Sequence, residues 1–146
     1  VDFRMHGSDE LAAVARRFRD AGDRGLSKQF RAGLNQAARP AVEATRRGFR
    51  DRLPSKGGLN ERIASGKITS KVTTRADGGE LVITASAGVD MPALDGGRLR
   101  HPVHGHRDRW VEQHIRPGAL TDTMQEHAPK VFDEVVEAAF DMLDKL

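Results

Sequence analysis

Residues 68–87 read Ile68-Thr69-Ser70-Lys71-Val72-Thr73-Thr74-Arg75-Ala76-Asp77-Gly78-Gly79-Glu80-Leu81-Val82-Ile83-Thr84-Ala85-Ser86-Ala87. Ile68, Ser70, Val72 and Thr74 alternate with Thr69, Lys71, Thr73 and Arg75. That period of two places successive side chains on opposite faces of a strand. Ala76-Asp77-Gly78-Gly79 supplies a turn containing Asp-Gly, and residues 80–87 return as a β-rich, apolar strand. A lone hairpin is marginal in water, so a helix or further strands must cover its apolar face. Residues 89–94 and 110–115 are the candidates for extra strands.

Upstream of the hairpin the period changes to that of a helix. From about residue 27 to residue 53, Leu26, Phe30, Leu34, Ala37, Ala41 and Ala44 fall on one arc at 100° per residue. Lys28, Arg39, Arg46, Arg47 and Arg50 fall on the opposite, basic face. Pro40 lies in the middle and is expected to kink the helix or split it in two. The apolar stripe is rich in Ala and Gly, so a close-packed neighbour is expected along it. A loop at residues 53–58 and one or two helical turns at residues 59–64 lead into the hairpin. Nearer the start, Ser8 before Asp9-Glu10 reads as a helix N-cap with acids in the first turn. That helix runs to about Ala21 with Leu11, Val14, Ala15 and Phe18 on one face, and Gly22 and Gly25 end it. It either packs on its own domain or reaches a neighbouring subunit.

Downstream, residues 96–119 hold four of the six histidines (His101, His104, His106, His114), the single tryptophan Trp110, and five arginines. So polar a stretch, punctuated by Gly and Pro, is either an active site or a docking surface, and docking is the reading adopted here. A C-terminal helix is expected from about Leu120, with Thr121 or Thr123 as cap and Pro129 at a first helical position. Val131, Val135, Ala139, Met142 and Leu146 make its core stripe, which Phe132, Val136 and Leu143 widen. Asp133, Glu134, Glu137, Asp141 and Asp144 make an acidic outer face.

The net charge of +3 hides a polarity along the chain. Residues 1–66 carry 14 Lys/Arg against 8 Asp/Glu, whereas residues 119–146 carry 2 against 7. Such asymmetry is a signature of interaction, and the basic and acidic parts are suited to attract each other within or between subunits. The absence of cysteine excludes disulfides, thiolate nucleophiles and Cys-based zinc sites. No apolar run is long enough to span a bilayer, and Val1-Asp2-Phe3-Arg4 has no apolar leader region.

The histidines lack the His-Glu-x-x-His spacing of a zinc helix, and Pro102 and Gly105 interrupt them. No metal or other cofactor is therefore expected. Asp90, Asp95, Asp108 and Glu112 surround the histidines, and a His–Asp pair is the form of a general base. There is, however, no Gly-x-Ser-x-Gly elbow and no phosphate loop, and the expectation is a protein without enzymatic activity. The basic helix face is suited to phosphates, but aromatics are too few for single-strand stacking.

Several motifs resemble the neck proteins of long-tailed bacteriophages, the tail-completion and head–tail joining family. They are Leu53-Pro54 with Gly58-Leu59 through Ile63, and the return strand of residues 82–87. Then come Arg98-Leu99-Arg100-His101-Pro102-Val103-His104-Gly105, Trp110-Val111 through Gln113, and Arg116-Pro117-Gly118-Ala119. The likeness covers about residues 26–146. It implies a structural virion protein, assembled in the host cytoplasm, that forms a homo-oligomeric ring between portal or capsid and tail. Neighbouring neck and tail-tube proteins would be its partners, and DNA would pass through the ring. Arg98, Arg100, His101, His104, Arg109 and Trp110 would then be interface residues, with Trp110 either a buried anchor in a partner or an ordinary core side chain. The alternative is a basic, non-catalytic, DNA-associated oligomer. The expected fold is α+β: a small antiparallel sheet containing a central hairpin, packed by a long kinked N-terminal helix and a C-terminal helix. Residues 1–25 form an N-terminal helical arm and residues 26–146 a single core domain.

Overall fold

A computed structural model describes residues 1–7, 9–75, 78–103 and 106–145, with the backbone alone at residues 75, 101–103, 106 and 107. The expected α+β architecture is present. Strand β2 (Lys67–Arg75) and strand β3 (Gly78–Ser86) form the central antiparallel hairpin, in register from Lys67 opposite Ser86 to Arg75 opposite Gly78. Ile68 and Val72 of β2 and Leu81, Ile83 and Ala85 of β3 are buried on one face, as the alternation requires. The expected turn at Ala76 and Asp77 lies outside the described residues.

The third strand of this sheet was not anticipated. It is β1 (Asp2–His6), antiparallel to β3, giving the order β1-β3-β2. Phe3 and Met5 turn toward the core, while Asp2, Arg4 and His6 are exposed. On the other edge, the Val72 N–H donates to Asn35 Oδ1 at 2.9 Å, so a helix side chain occupies a backbone donor that would otherwise invite pairing.

Helices cover the apolar face. Helix α1 (Asp9–Asp20) packs on its own chain, against β3, helix α2 (Arg24–Ala38) and helix α6 (Ala119–Asp144), and buries Leu11, Val14, Ala15 and Phe18. The ring of Phe18 stacks on Phe30 with centroids 4.3 Å apart. Helix α2 (Arg24–Ala38) and helix α3 (Pro40–Arg52) meet at Arg39, with Pro40 in the first turn of α3. The single expected helix is thus divided at its proline, where the missing N–H belongs to a helix start. A 3-10 turn at Lys56–Gly58 precedes α4 (Leu59–Ala64).

Helix α6 (Ala119–Asp144) lies antiparallel along α2 and α3. The small residues of the α2–α3 stripe explain how: a Cβ at Gly33 would meet Met142, and one at Gly48 would overlap Thr123. Two details of α6 differ from expectation. Pro129 lies inside the helix rather than at its start. Neither Thr121 nor Thr123 is the N-cap, which is Gly118 at φ 83°. The buried Thr123 hydroxyl instead donates to the Ala119 carbonyl at 2.6 Å and accepts from Arg52 at 2.7 Å. Leu146, expected on the core stripe, lies outside the described residues.

Residues 89–94 are not a strand. Asp90 caps a short helix, α5 (Met91–Asp95), by accepting from the Ala93 N–H at 3.1 Å, and Pro92 sits in its first turn. The second expected strand does exist but joins a different sheet. Among the described residues strand β5 (His106–His114) pairs only with β4 (Arg98–Val103), in a separate two-stranded sheet. The apolar core therefore comes from one sheet face and the six α-helices, and of the β4–β5 hairpin only Leu99 packs partly against it among the described residues.

Candidate functional site

The β4–β5 hairpin is an arm built on a closed base. Gly97 adopts φ 89°, a left-handed conformation that glycine enters without a Cβ penalty. A Cβ there would stand 2.8 Å from the Ile115 carbonyl oxygen. The Ile115 N–H donates to the Gly97 carbonyl at 2.8 Å, and the Gly118 N–H to the Asp95 carbonyl at 2.7 Å. Asp95 then turns its side chain onto the start of α6. Its Oδ1 accepts from the N–H groups of Leu120 at 3.0 Å and Thr121 at 2.9 Å, and its other oxygen accepts from the Thr121 hydroxyl. This one carboxylate satisfies orphan donors of α6 and ties the end of α5 to the point where the chain returns from the arm. Asp90 and Asp95, considered above as acid–base partners for histidine, are thus occupied as helix caps.

Beyond that base the arm packs on α5. The pairing register runs from Arg98 opposite His114 to Pro102 opposite Trp110. It separates the expected interface residues onto two faces. Arg98, Arg100 and Trp110 share one face, with Glu112; Arg109 and Val111 share the other, and the backbone of His101 pairs opposite Val111. The Arg100 guanidinium carbon lies 5.4 Å from the Trp110 ring centroid, a cation–π distance. Trp110 is 48% exposed and Val111 41% exposed. Trp110 is therefore not an ordinary core side chain of its own subunit. Residues 108–114 are exposed throughout. Every strand of a two-stranded sheet is an edge, which is where Pro102 is tolerated. Of the histidines, His104 and the side chains of His101 and His106 lie outside the described residues, and His114 is exposed. Among the described residues no group of three or more His, Asp or Glu side chains is placed to hold a metal ion.

Between the arm and the body lies an open groove of about 1070 Å³. Its apolar lining comes from Leu59, Val89, Leu94, Leu99, Ile115 and Trp110. Lys56, Arg62, Arg98 and Arg100 line it as cations, against Asp90 and Glu112. Asp90 already serves as a helix cap.

The acidic face is where the sequence placed it. Asp133, Glu134, Glu137, Asp141 and Asp144 are all exposed on α6, and none forms an ion pair among the described residues. Phe140 lies among them, 40% exposed, with the half-buried Val136 and Leu143 one turn away on either side. Together with Trp110 and Val111 it is the most exposed large apolar side chain among the described residues. Phe140 lies outside the expected core stripe, and its position, three residues after Glu137 and four before Asp144, places it beside carboxylates.

The basic face is less free than its sequence suggests. Arg46 turns inward and donates to the carbonyls of Ala64 at 2.6 Å and Gly66 at 2.9 Å, closing the end of α4. Arg50 pairs with Glu61 at 3.1 Å. Lys28, Arg39 and Arg47 remain exposed. No described helix is long and apolar enough to cross a membrane. The chain matches no protein-family model, no characterised protein sequence and no solved structure.

Proposed function

We propose that this chain is a structural, non-catalytic subunit that assembles with copies of itself into a ring at the neck of a tailed bacteriophage, between portal or capsid and tail. The observation that carries this reading is the β4–β5 arm. A hairpin held to its own subunit at its base, with Trp110 and Val111 exposed, is only marginally stable as a free element and gains cover from a neighbour. The motifs Arg98-Leu99-Arg100-His101-Pro102-Val103, Trp110-Val111 and Arg116-Pro117-Gly118, which carry the likeness to neck proteins, lie on or at the root of this arm. A docking arm and a separate acidic helix on one chain suit head-to-tail contacts, which generate rings when the rotation closes. Neighbouring neck and tail-tube proteins are the partners this role implies, and Lys28, Arg39 and Arg47 are the cations left to face DNA in the ring. The rival reading as a free DNA-binding oligomer loses weight because Arg46 and Arg50 of its stripe are occupied within the subunit.

Electron microscopy of virions produced with and without this chain tests the proposal. Filled heads and finished tails left unjoined, with a missing ring of density at the neck, are the expected result. Normal particles in its absence would overturn it.

A further inference from the structure

We infer that the groove beside the arm receives the acidic end of α6 from a second copy of this chain, with Phe140 seated against the groove's apolar side chains. The inference rests on the self-assembly part of the proposed function and assigns its contact. Three observations meet here. The groove has apolar lining side chains and a net positive set of charges, with Lys56, Arg62, Arg98 and Arg100 against Asp90 and Glu112. The last three turns of α6 present the inverse: Val136, Phe140 and Leu143 as an apolar ridge, with Glu137 and Asp144 flanking Phe140 at the helical spacings of three and four residues. Arg98, Arg100 and the five helix carboxylates make no ion pair within the subunit among the described residues. A helix laid by its apolar ridge into a groove is a recurrent recognition mode, and the opposite charges fix its register.

The two surfaces cannot meet within one chain. The arm is rooted at the N-terminal end of α6, beside Gly118. Phe140 lies 21 residues further along that helix, roughly 30 Å away at 1.5 Å per residue. The body of α6 is meanwhile held along α2 and α3. Groove and ridge are thus different patches, and in the ring of the proposed function the contact is heterologous: each copy offers a groove to one neighbour and a helix end to the other.

The test is reciprocal charge reversal in the full chain, read by sedimentation at low ionic strength, where charge contacts are least screened. One variant carries Arg98→Glu and Arg100→Glu; a second carries Glu137→Arg and Asp144→Arg; a third carries all four. These positions are exposed, and the melting temperatures are expected to stay at the wild-type value. The wild-type chain is expected to self-associate, and each two-site variant to be weakened by about a hundredfold or more. Mixing the two restores assembly with the variants alternating, because the intact groove meets the intact helix end and the reversed groove meets the reversed helix end. The four-site variant, with both charges exchanged, associates again. Wild-type chain that stays monomeric at about 1 mM, two-site variants that assemble like wild type, or a mixture that fails to pair would overturn the inference. The virion experiment stands apart: a wild-type oligomer indifferent to these reversals ends this contact and leaves the neck reading in place. Normal particles without the chain would end the neck reading while a positive mixing result kept the contact.

Discussion

At the scale of single residues, the structure separates polar groups that are satisfied from those that are not. Thr45 is fully buried on α3, and its hydroxyl has no hydrogen-bond partner. Valine has nearly the same shape without the desolvated oxygen. Thr45→Val is therefore expected to stabilise the fold by about 1 kcal/mol, seen as a raised melting temperature; a lowered one would mean that the hydroxyl is bonded in solution. Asp95 is the opposite case, since it accepts three bonds at the start of α6. Asp95→Ala is expected to cost about 1–2 kcal/mol, with faster amide exchange at Leu120 and Thr121 as the local sign. Protection unchanged at those two amides would remove Asp95 from its capping role.

Glu126 and Arg52 bring pH into the account. The hydrogen bond from Arg52, and then its charge, hold the Glu126 carboxyl below its ordinary value of 4.5. The unfolded chain therefore binds the proton more readily, and stability rises with pH through this group. Its contribution is complete above pH 4.5 and disappears as the pH falls through the lowered folded value. Urea titrations of wild type and Glu126→Gln should accordingly converge below that range and differ above it. The pair is exposed, so the difference is small and shrinks further with salt.

At the scale of elements, Gly48 shows how α3 and α6 come together. Alanine there would gain about 1 kcal/mol of helix propensity, but its Cβ would overlap Thr123, which is itself held by Arg52 and the Ala119 carbonyl. Overpacking of a site that cannot yield costs about 1–3 kcal/mol, so Gly48→Ala is expected to destabilise on balance; calorimetry reads the sign directly. This close approach was legible in the sequence as an Ala- and Gly-rich stripe, as were the split at Pro40 and the β2–β3 alternation. Each of these is a local signal tied to burial. What escaped the sequence has the reverse character. Strand β4 and its pairing were missed, and β5 was expected only over residues 110–115 and without a sheet of its own: His-Arg-Asp-Arg-Trp-Val-Glu-Gln-His is exposed from Asp108 onward and carries no apolar period. Strand β1 does alternate, but over five residues whose partner lies nearly 80 positions away. The cap of α6 comes from Asp95, across the whole arm. Residues 89–94 did offer Asp-x-Pro, a helix-start signal, which their apolar content outweighed. Of the candidate site, the acidic face was readable because helical spacing is local; the arm and its groove were not, because they exist only through pairing and return of the chain.

At the scale of the whole molecule, the arm is separable from the fold. Arg98 and His114 are directly opposed at its root, and the Gly97–Ile115 hydrogen bond closes the base beneath them. Replacing residues 99–113 by Asn-Gly would join the two strand ends through a tight two-residue turn, the form such pairs favour. No described residue between β4 and β5 belongs to the buried core; Leu99 alone packs partly against it. The shortened chain should therefore melt within about 5 °C of wild type, since a loss near 1 kcal/mol moves a chain of this size only a few degrees. Its self-association, by contrast, should vanish. Trp110→Ala makes the same argument with one side chain: half exposed in the subunit, it should leave the melting temperature nearly unchanged while weakening assembly. If excision of the arm unfolded the protein, the hairpin would be part of the subunit's own stability. If the shortened chain assembled normally, the arm would have no part in joining copies. Only the combination of an intact fold and a lost oligomer fits an element whose buried surface is supplied by a neighbour.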